Sequence, residues 1–166
     1  MKSFMKICLP SLFILLVLLF ISLNCNTKHE PQIGFIGLYL GESKEVIDKQ
    51  IIQLQNEGKI ENVNNSRETF NYNFNFDQKV GANVSLFYGK GYLYTIFISG
   101  LNNFYYDEIL KLYKNKYKGR WEQYEGPDIA YGKIKMGSYE ICLYTLSRTN
   151  SMTITYAKKE DTEKDI

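Results

Sequence analysis

One histidine, one tryptophan, three cysteines and three prolines are spread over 166 residues. Each scarcity removes a class of chemistry. His29, the only histidine, lies in the polar stretch "NTKHEPQ" at 26–32. Serine–histidine–acid and cysteine–histidine pairs therefore have no base in a folded neighbourhood. One histidine without a cysteine cluster offers no zinc set either. The glycine-rich "YGKGY" at 88–92 lacks the spacing of a phosphate loop and reads as a hairpin turn. The carboxylate pairs Asp107/Glu108 and Glu122/Glu125 have surface-like surroundings that do not suit glycoside hydrolysis. The "KEDTEKD" tail is a charge run, not a calcium loop. The formal net charge is +2 and falls near zero once Lys2 and Lys6 are set aside, which leaves no basic footprint for nucleic acid. The expectation is a protein that is not an enzyme and that uses no metal and no cofactor.

What is present begins at the front. Lys2 and Lys6 precede "ICLPSLFILLVLLFISL" at 7–23, which carries no charge. A positive start followed by an apolar core is the layout of an export signal. The dense part, Leu12 to Ile21, is shorter than the ~20 residues a membrane-crossing helix needs. The apolar run ends at Cys25, and the chain then turns polar. A cysteine in that place resembles the modification site of bacterial lipoproteins. The resemblance implies removal of residues 1–24 and attachment of fatty acyl chains such as palmitate to Cys25. Ser22 and Asn24 stand where that pattern has a branched apolar and a tiny residue. A soluble secreted chain, with Cys25 incidental or paired to Cys142, is the alternative.

Residues 25–32 read as a tether and 33–158 as a single domain. Residues 159–166 read as a disordered charged tail. About 135 residues suffice for one core without a disulfide scaffold. "IGFIGLYL" at 33–40 predicts a strand with Ile33, Phe35, Leu38 and Leu40 inward. Ser43 suits a helix cap, and Val46, Ile47, Ile51 and Leu54 mark one face of a helix from Lys44 to Glu57, stopped by Gly58. "ETFNYNFNFDQ" alternates without exception, with Phe70, Tyr72, Phe74 and Phe76 on one side. Strands are predicted at 82–88 and 92–99 around Gly89-Lys90-Gly91, with Tyr92, Tyr94, Ile96 and Ile98 on one face. A second helix carries Tyr106, Ile109, Leu110, Tyr113 and Tyr117 inward. Lys114, Lys116 and Lys118 crowd its C-terminal end, where they suit the helix dipole, and Gly119 stops it. Strands follow at 128–135, 139–146 and 151–157. Cys142 reads as a small buried hydrophobe in an alternating run. The order predicts an α+β fold: an antiparallel sheet covered on one face by two helices. Each half is a helix ended by glycine, then a loop and about three strands, with a period near 60 residues.

Leu40, Gly41, Ser43 and Val46 or Ile47 give a Gly–cap–helix start, and "GYLYTIFISG" at 91–100 follows as a late strand. This resembles the small lipoproteins of the outer-membrane assembly machinery and the related fold of proteinaceous β-lactamase inhibitors. "YYDEILKLYKNKYKG" at 105–119 looks like a phrase of lipoproteins from the Bacteroides group. After the first helix the chain has "NEGKI" where the assembly family has a Gly-x-Pro. The resemblance implies a non-catalytic module that packs against other envelope proteins.

Trp121, Tyr124 and Tyr131, in "GRWEQYEGPDIAYGK", form the candidate contact surface. Aromatics beside charges on a connection suit a protein or a glycan, and Trp121 has a second reading as a cap on the core. The functional expectation is an exported lipoprotein of the bacterial cell envelope. It would be held to the bilayer by a lipid on Cys25 and would act as a structural or protein-interaction module. A secreted binding or inhibitor domain is the alternative.

Overall fold

A computed structural model of the chain describes residues 32–76 and 79–159. Cys25, His29 and the whole apolar run lie outside the described residues, as does the tail from 160 onward.

The chain opens on a tight hairpin, β1 (Gly34–Phe35) and β2 (Leu38–Tyr39), where a single strand over 33–40 was expected. Ile36 and Gly37 both take positive φ at its tip, so the run folds back on itself. The four predicted inward residues nonetheless stay buried: Ile33, Phe35, Leu38 and Leu40. Gly34 makes the fold-back possible, because a Cβ there would stand 2.0 Å from the Leu38 carbonyl oxygen.

Helix α1 (Lys44–Asn56) buries Ile47, Ile51 and Leu54, one stripe at spacings of four and three. Val46, expected on that stripe, is exposed, as is Ile52. The helix closes by a Schellman arrangement. Gly58 adopts φ 67°, its N–H donates to Gln55, and the Lys59 N–H donates to Leu54.

Two four-stranded meanders complete the domain. The first is β3 (Ile60–Asn64), β4 (Thr69–Asn75), β5 (Lys79–Gly89) and β6 (Tyr92–Asn102). A single-turn 3₁₀ segment, Asn103–Tyr105, then leads into α2 (Tyr106–Lys116). The second meander is β7 (Trp121–Glu125), β8 (Ile129–Met136), β9 (Tyr139–Leu146) and β10 (Ser151–Lys158). They join as one antiparallel sheet in the order β3-β4-β5-β6-β10-β9-β8-β7. The fold is therefore dominated by antiparallel sheet, with two helices among the described residues. Equivalent strands begin at 60 and 121, 69 and 129, 79 and 139, and 92 and 151.

β3 and β7 form where the sequence pattern predicts loops. Each is five residues long, lies at a sheet edge and buries little: Ile60 alone on β3, and half of Trp121 on β7. An edge strand needs no two-sided apolar pattern, so alternation was the wrong signal for these two.

One face of the sheet holds the core. It carries Phe70, Val84, Leu86, Ile96, Ile98, Ile154, Tyr156, Ile141, Leu143 and Ile134. Both helices and the N-terminal hairpin pack there. Ring contacts run from Phe35 to Tyr72 (5.0 Å), Phe74 (5.7 Å) and Tyr156 (6.1 Å), so the hairpin lies over the middle of the sheet. Tyr117 at the end of α2 donates its hydroxyl to the Gly34 carbonyl at 3.1 Å. Helix α2 rests on β8 at Gly132, where a Cβ would be 2.6 Å from Leu110 Cδ1. The aromatic face of β4 is the core face, as its alternation predicted. Only Phe70 is fully buried, whereas Tyr72, Phe74 and Phe76 are half-buried at its margin. On β6 the predicted face is broken by a register shift against β5. Leu93, Ile96 and Ile98 turn inward while Tyr92 and Tyr94 stay exposed.

Candidate interaction surface on the open sheet face

Among the described residues, the face opposite the helices carries no fully buried side chain. Its middle is built from short polar groups around Phe97. Asn71 pairs with Asn83, Asn83 with Ser99, Ser85 with Phe97, and Phe97 with Thr155, strand by strand. The polar partners of the β4 alternation thus lie on this side, where the Asn83 amide reaches Asn71 at 3.4 Å.

The character changes toward β7. Tyr124, Tyr131 and Tyr144 are direct neighbours on β7, β8 and β9, and Thr153 of β10 continues the row. The Tyr124 and Tyr131 rings stack at 5.8 Å and 22°. Ile129 and Leu146 pair beside them on the same face. Tyr124 is 52% exposed and Leu146 36%. The result is a corner of three tyrosines and two aliphatic residues facing solvent.

The corner is held by its turns. The Gly126 N–H donates to the Ile129 carbonyl at 2.8 Å, closing the β7–β8 turn. The Ser147 N–H donates to the Asp128 carbonyl at 2.9 Å, tying the β9–β10 turn to it. Arg148 and Asp128 form an exposed ion pair at 3.5 Å along this rim. Beneath, the buried Thr145 hydroxyl bonds both the N–H and the carbonyl of Ala130. These bonds hold β8, which carries Tyr131, in register with β9, which carries Tyr144.

Of the three residues singled out from sequence, two meet here and one does not. Tyr124 and Tyr131 form the stacked pair. Trp121 lies on the other face, opposite buried Ile134, with its indole N–H donating to the Tyr117 carbonyl at 3.2 Å. It caps the core where α2 ends. Tyr144 and Leu146 do not stand out in "YEICLYTL", whose pattern is dominated by its buried side. The alternate residues of a one-sided strand carry this signal.

Cys142 occupies the open face between Thr155 and Lys133, half-buried, not in the core as expected. Burial, aided by nearby Glu140, holds its thiol above the usual range, while Lys133 opposes the shift. The thiolate is scarce there and the sulfur is a poor nucleophile. Lys133 bridges to Glu140 at 3.2 Å, and the hydrogen bond to Glu140 raises its pKa.

A second polar group lies between α1 and the β3–β4 hairpin. Lys44 bridges Glu68 at 2.8 Å and Asp48 at 3.4 Å, and its ammonium stands 4.6 Å from the centre of the Tyr88 ring. The hydrogen bond to Glu68 raises the Lys44 pKa, and burial raises that of Tyr88. The cleft they line holds about 10 Å³, room for one water and no substrate.

No helix of the described residues is long and apolar enough to cross a membrane. Comparison with protein-family models, with curated proteins and with solved structures gives no match.

Proposed function

We propose that the chain is a non-catalytic exported lipoprotein that presents the open sheet face to a protein partner in the bacterial envelope. The observation that carries the reading is the tyrosine corner. It sets large rigid rings on a well-supported strand surface, between the Arg148–Asp128 pair at the rim and Glu122 and Lys133 on the sheet, and aromatic rings are enriched in contact surfaces. Aromatic anchors cost little side-chain entropy to order, so such a corner binds well for its area. The Lys2/Lys6 start, the uncharged run and Cys25 support export and lipid attachment.

The finer architecture is part of the same proposal. A helix followed by a four-stranded meander occurs twice with a spacing near 60 residues. Two such units, joined edge to edge at β6 and β10, support the reading of the chain as two tandem helix-then-strands halves. Tandem units leave one broad sheet face free, and that face is the one assigned to the partner.

Metabolic labelling with a tagged fatty acid tests the anchor. Wild type should be labelled and Cys25→Ala should not. An unlabelled wild type would replace the lipoprotein by the secreted binding domain. A photo-cross-linking residue at Tyr131 should trap a discrete envelope protein, and one at Lys49 on the outer side of α1 should not. Equal yields from both positions would remove the open face from the reading.

A further inference from the structure

The outer side of α2 and the turn after it contain Lys111, Lys114, Lys116, Lys118 and Arg120, with no acidic residue between 109 and 121. Lys111, Lys116, Lys118 and Arg120 are exposed, and none joins an ion pair among the described residues. Lys114 is spent on Gln123 of β7. Leu112 stands 52% exposed between the first cations. The two carboxylates of the helix, Asp107 and Glu108, are in its first turn, so the charge is polarised toward the C-terminal end. The helix dipole accounts for cations in the last turn. It does not account for Lys118 and Arg120 beyond the helix, nor for an exposed leucine among the lysines.

The place where the domain's first residues leave the fold is the second observation. Tyr117 holds the Gly34 carbonyl with its hydroxyl, and the Lys116 ammonium stands 4.9 Å from the centre of the same ring. Gln32, exposed, is two residues before Gly34. The chain thus enters the domain beside the cationic end of α2. From Cys25 to Gln32 the backbone reaches at most about 25 Å. An acylated Cys25 would keep Gln32 within that distance of the bilayer, with Tyr117 at the end of α2 tied to Gly34 just beyond it.

We propose that the C-terminal half of α2 docks on the anionic lipid headgroups of the membrane to which Cys25 is attached, with Lys111, Lys116, Lys118 and Arg120 against the headgroups and Leu112 entering the interface. The inference rests on the lipid-anchor reading. It orients the domain: the helix side faces the bilayer and the open sheet face, with its tyrosine corner, faces away. Basic residues beside an anchor add to its hold, because a single acyl chain binds only marginally. The attraction is strongest within a Debye length of the surface and is weakened by salt.

The full chain, purified in detergent and reconstituted in vesicles, carries the test. One set of vesicles is neutral phosphatidylcholine and the other adds anionic phosphatidylglycerol. A water-soluble amine-reactive ester then labels exposed lysines, and mass spectrometry reads each site. Lys111, Lys116 and Lys118 should label about fivefold more slowly on anionic vesicles, the factor matching about 1 kcal/mol per basic residue at such a surface. Lys135, exposed on the open sheet face, should not change, and high salt should abolish the difference. Protection at Lys111 should also fall in Lys116→Gln/Lys118→Gln, and an unchanged unfolding midpoint checks that losing the Lys116 contact with the Tyr117 ring leaves the fold intact. Attachment to vesicles with equal labelling on both kinds overturns the docking and leaves the anchor standing. Failure to attach at all overturns both.

Discussion

The hydroxyls of Tyr113 on α2 and Tyr156 on β10 hydrogen-bond to each other inside the core. Tyr156 is 1% exposed, and no other side-chain bond among those described joins this helix to the central strands. Burial raises the pKa of both tyrosines above the ordinary value of 10.0. The native state therefore keeps protons that the unfolded chain gives up. The stability linked to them is complete below about pH 10 and falls as pH rises further. Alkaline titration should show tyrosinate absorbance and loss of structure rising together. A tyrosinate signal from this pair in the folded protein near pH 10 would count against the buried bond. Tyr156→Phe should cost about 1–3 kcal/mol, since it strands the Tyr113 hydroxyl. Replacing both by Phe should cost less than the two single changes added.

On β4, Phe70 is 1% exposed while Phe74 is half-buried against Phe35, Tyr72 and Phe76. Phe70→Ala should cost about 3–5 kcal/mol. Phe74→Ala should cost about 1–2 kcal/mol, part of the value of full burial. Asn73→Ala should cost under ~0.5 kcal/mol, since its amide reaches exposed Glu61 at 3.5 Å. Urea denaturation ranks the three. An equal loss at Phe74 and Phe70 would place Phe74 deeper than its exposure indicates.

The sequence was most readable where one face of an element is buried and the other wet. α1, α2, β4, β9 and β10 show this: Ile47, Ile51 and Leu54 at helical spacing, and Phe70 to Phe76 or Tyr139 to Thr145 at every second residue. It was least readable where tertiary contacts decide. The 33–40 run is apolar enough for a strand, but positive φ at Ile36 and Gly37 and the packing of Phe35 against β4 and β10 make it a hairpin. β3 and β7 are held by ladder bonds along one side and have almost no apolar signature. Half of the tyrosine corner was legible, because Tyr124 and Tyr131 stand out beside charges. That they are cross-strand partners depends on β7 being a strand, and on a register that no local pattern encodes.

Gly132 lies under α2. An added Cβ would be 2.6 Å from Leu110 Cδ1 and 3.4 Å from the Tyr106 hydroxyl. Gly132→Ala should therefore cost about 1–3 kcal/mol despite alanine's better fit to a strand. Leu110→Ala opens that space, so the double variant should lose less than the sum of the two. Strict additivity in thermal or urea unfolding would show that the helix shifts freely and that the contact is loose.

Cys142 should react slowly with a maleimide at neutral pH in the folded protein and quickly once the chain is unfolded. Its thiol is half-buried and held above its ordinary pKa by burial and by Glu140. Intact mass after a brief pulse reads the outcome. Rapid labelling of native protein at this position would mean that the middle of the open face opens readily to reagent.

The tyrosine corner allows the sharpest separation of stability from recognition. Tyr124 and Tyr131 stack on the open face, and their exchange for other residues removes a cross-strand pair worth roughly 0.2–1 kcal/mol. Thr145 and the turn bonds at Gly126 and Ser147 hold the strands without them. Tyr124→Ser/Tyr131→Ser should thus leave the unfolding midpoint within a few degrees of wild type. The partner yield from a photo-cross-linking residue at Leu146, on the same corner, should fall at least tenfold, because aromatic anchors of this kind carry about 2 kcal/mol or more each when they bind. Trp121→Phe provides the contrast: it loses the indole bond to Tyr117 under α2 and should lower stability while leaving cross-linking from Leu146 intact. If the serine pair unfolds the domain, or if cross-linking survives it, the rings serve the fold and the contact surface lies elsewhere on the sheet.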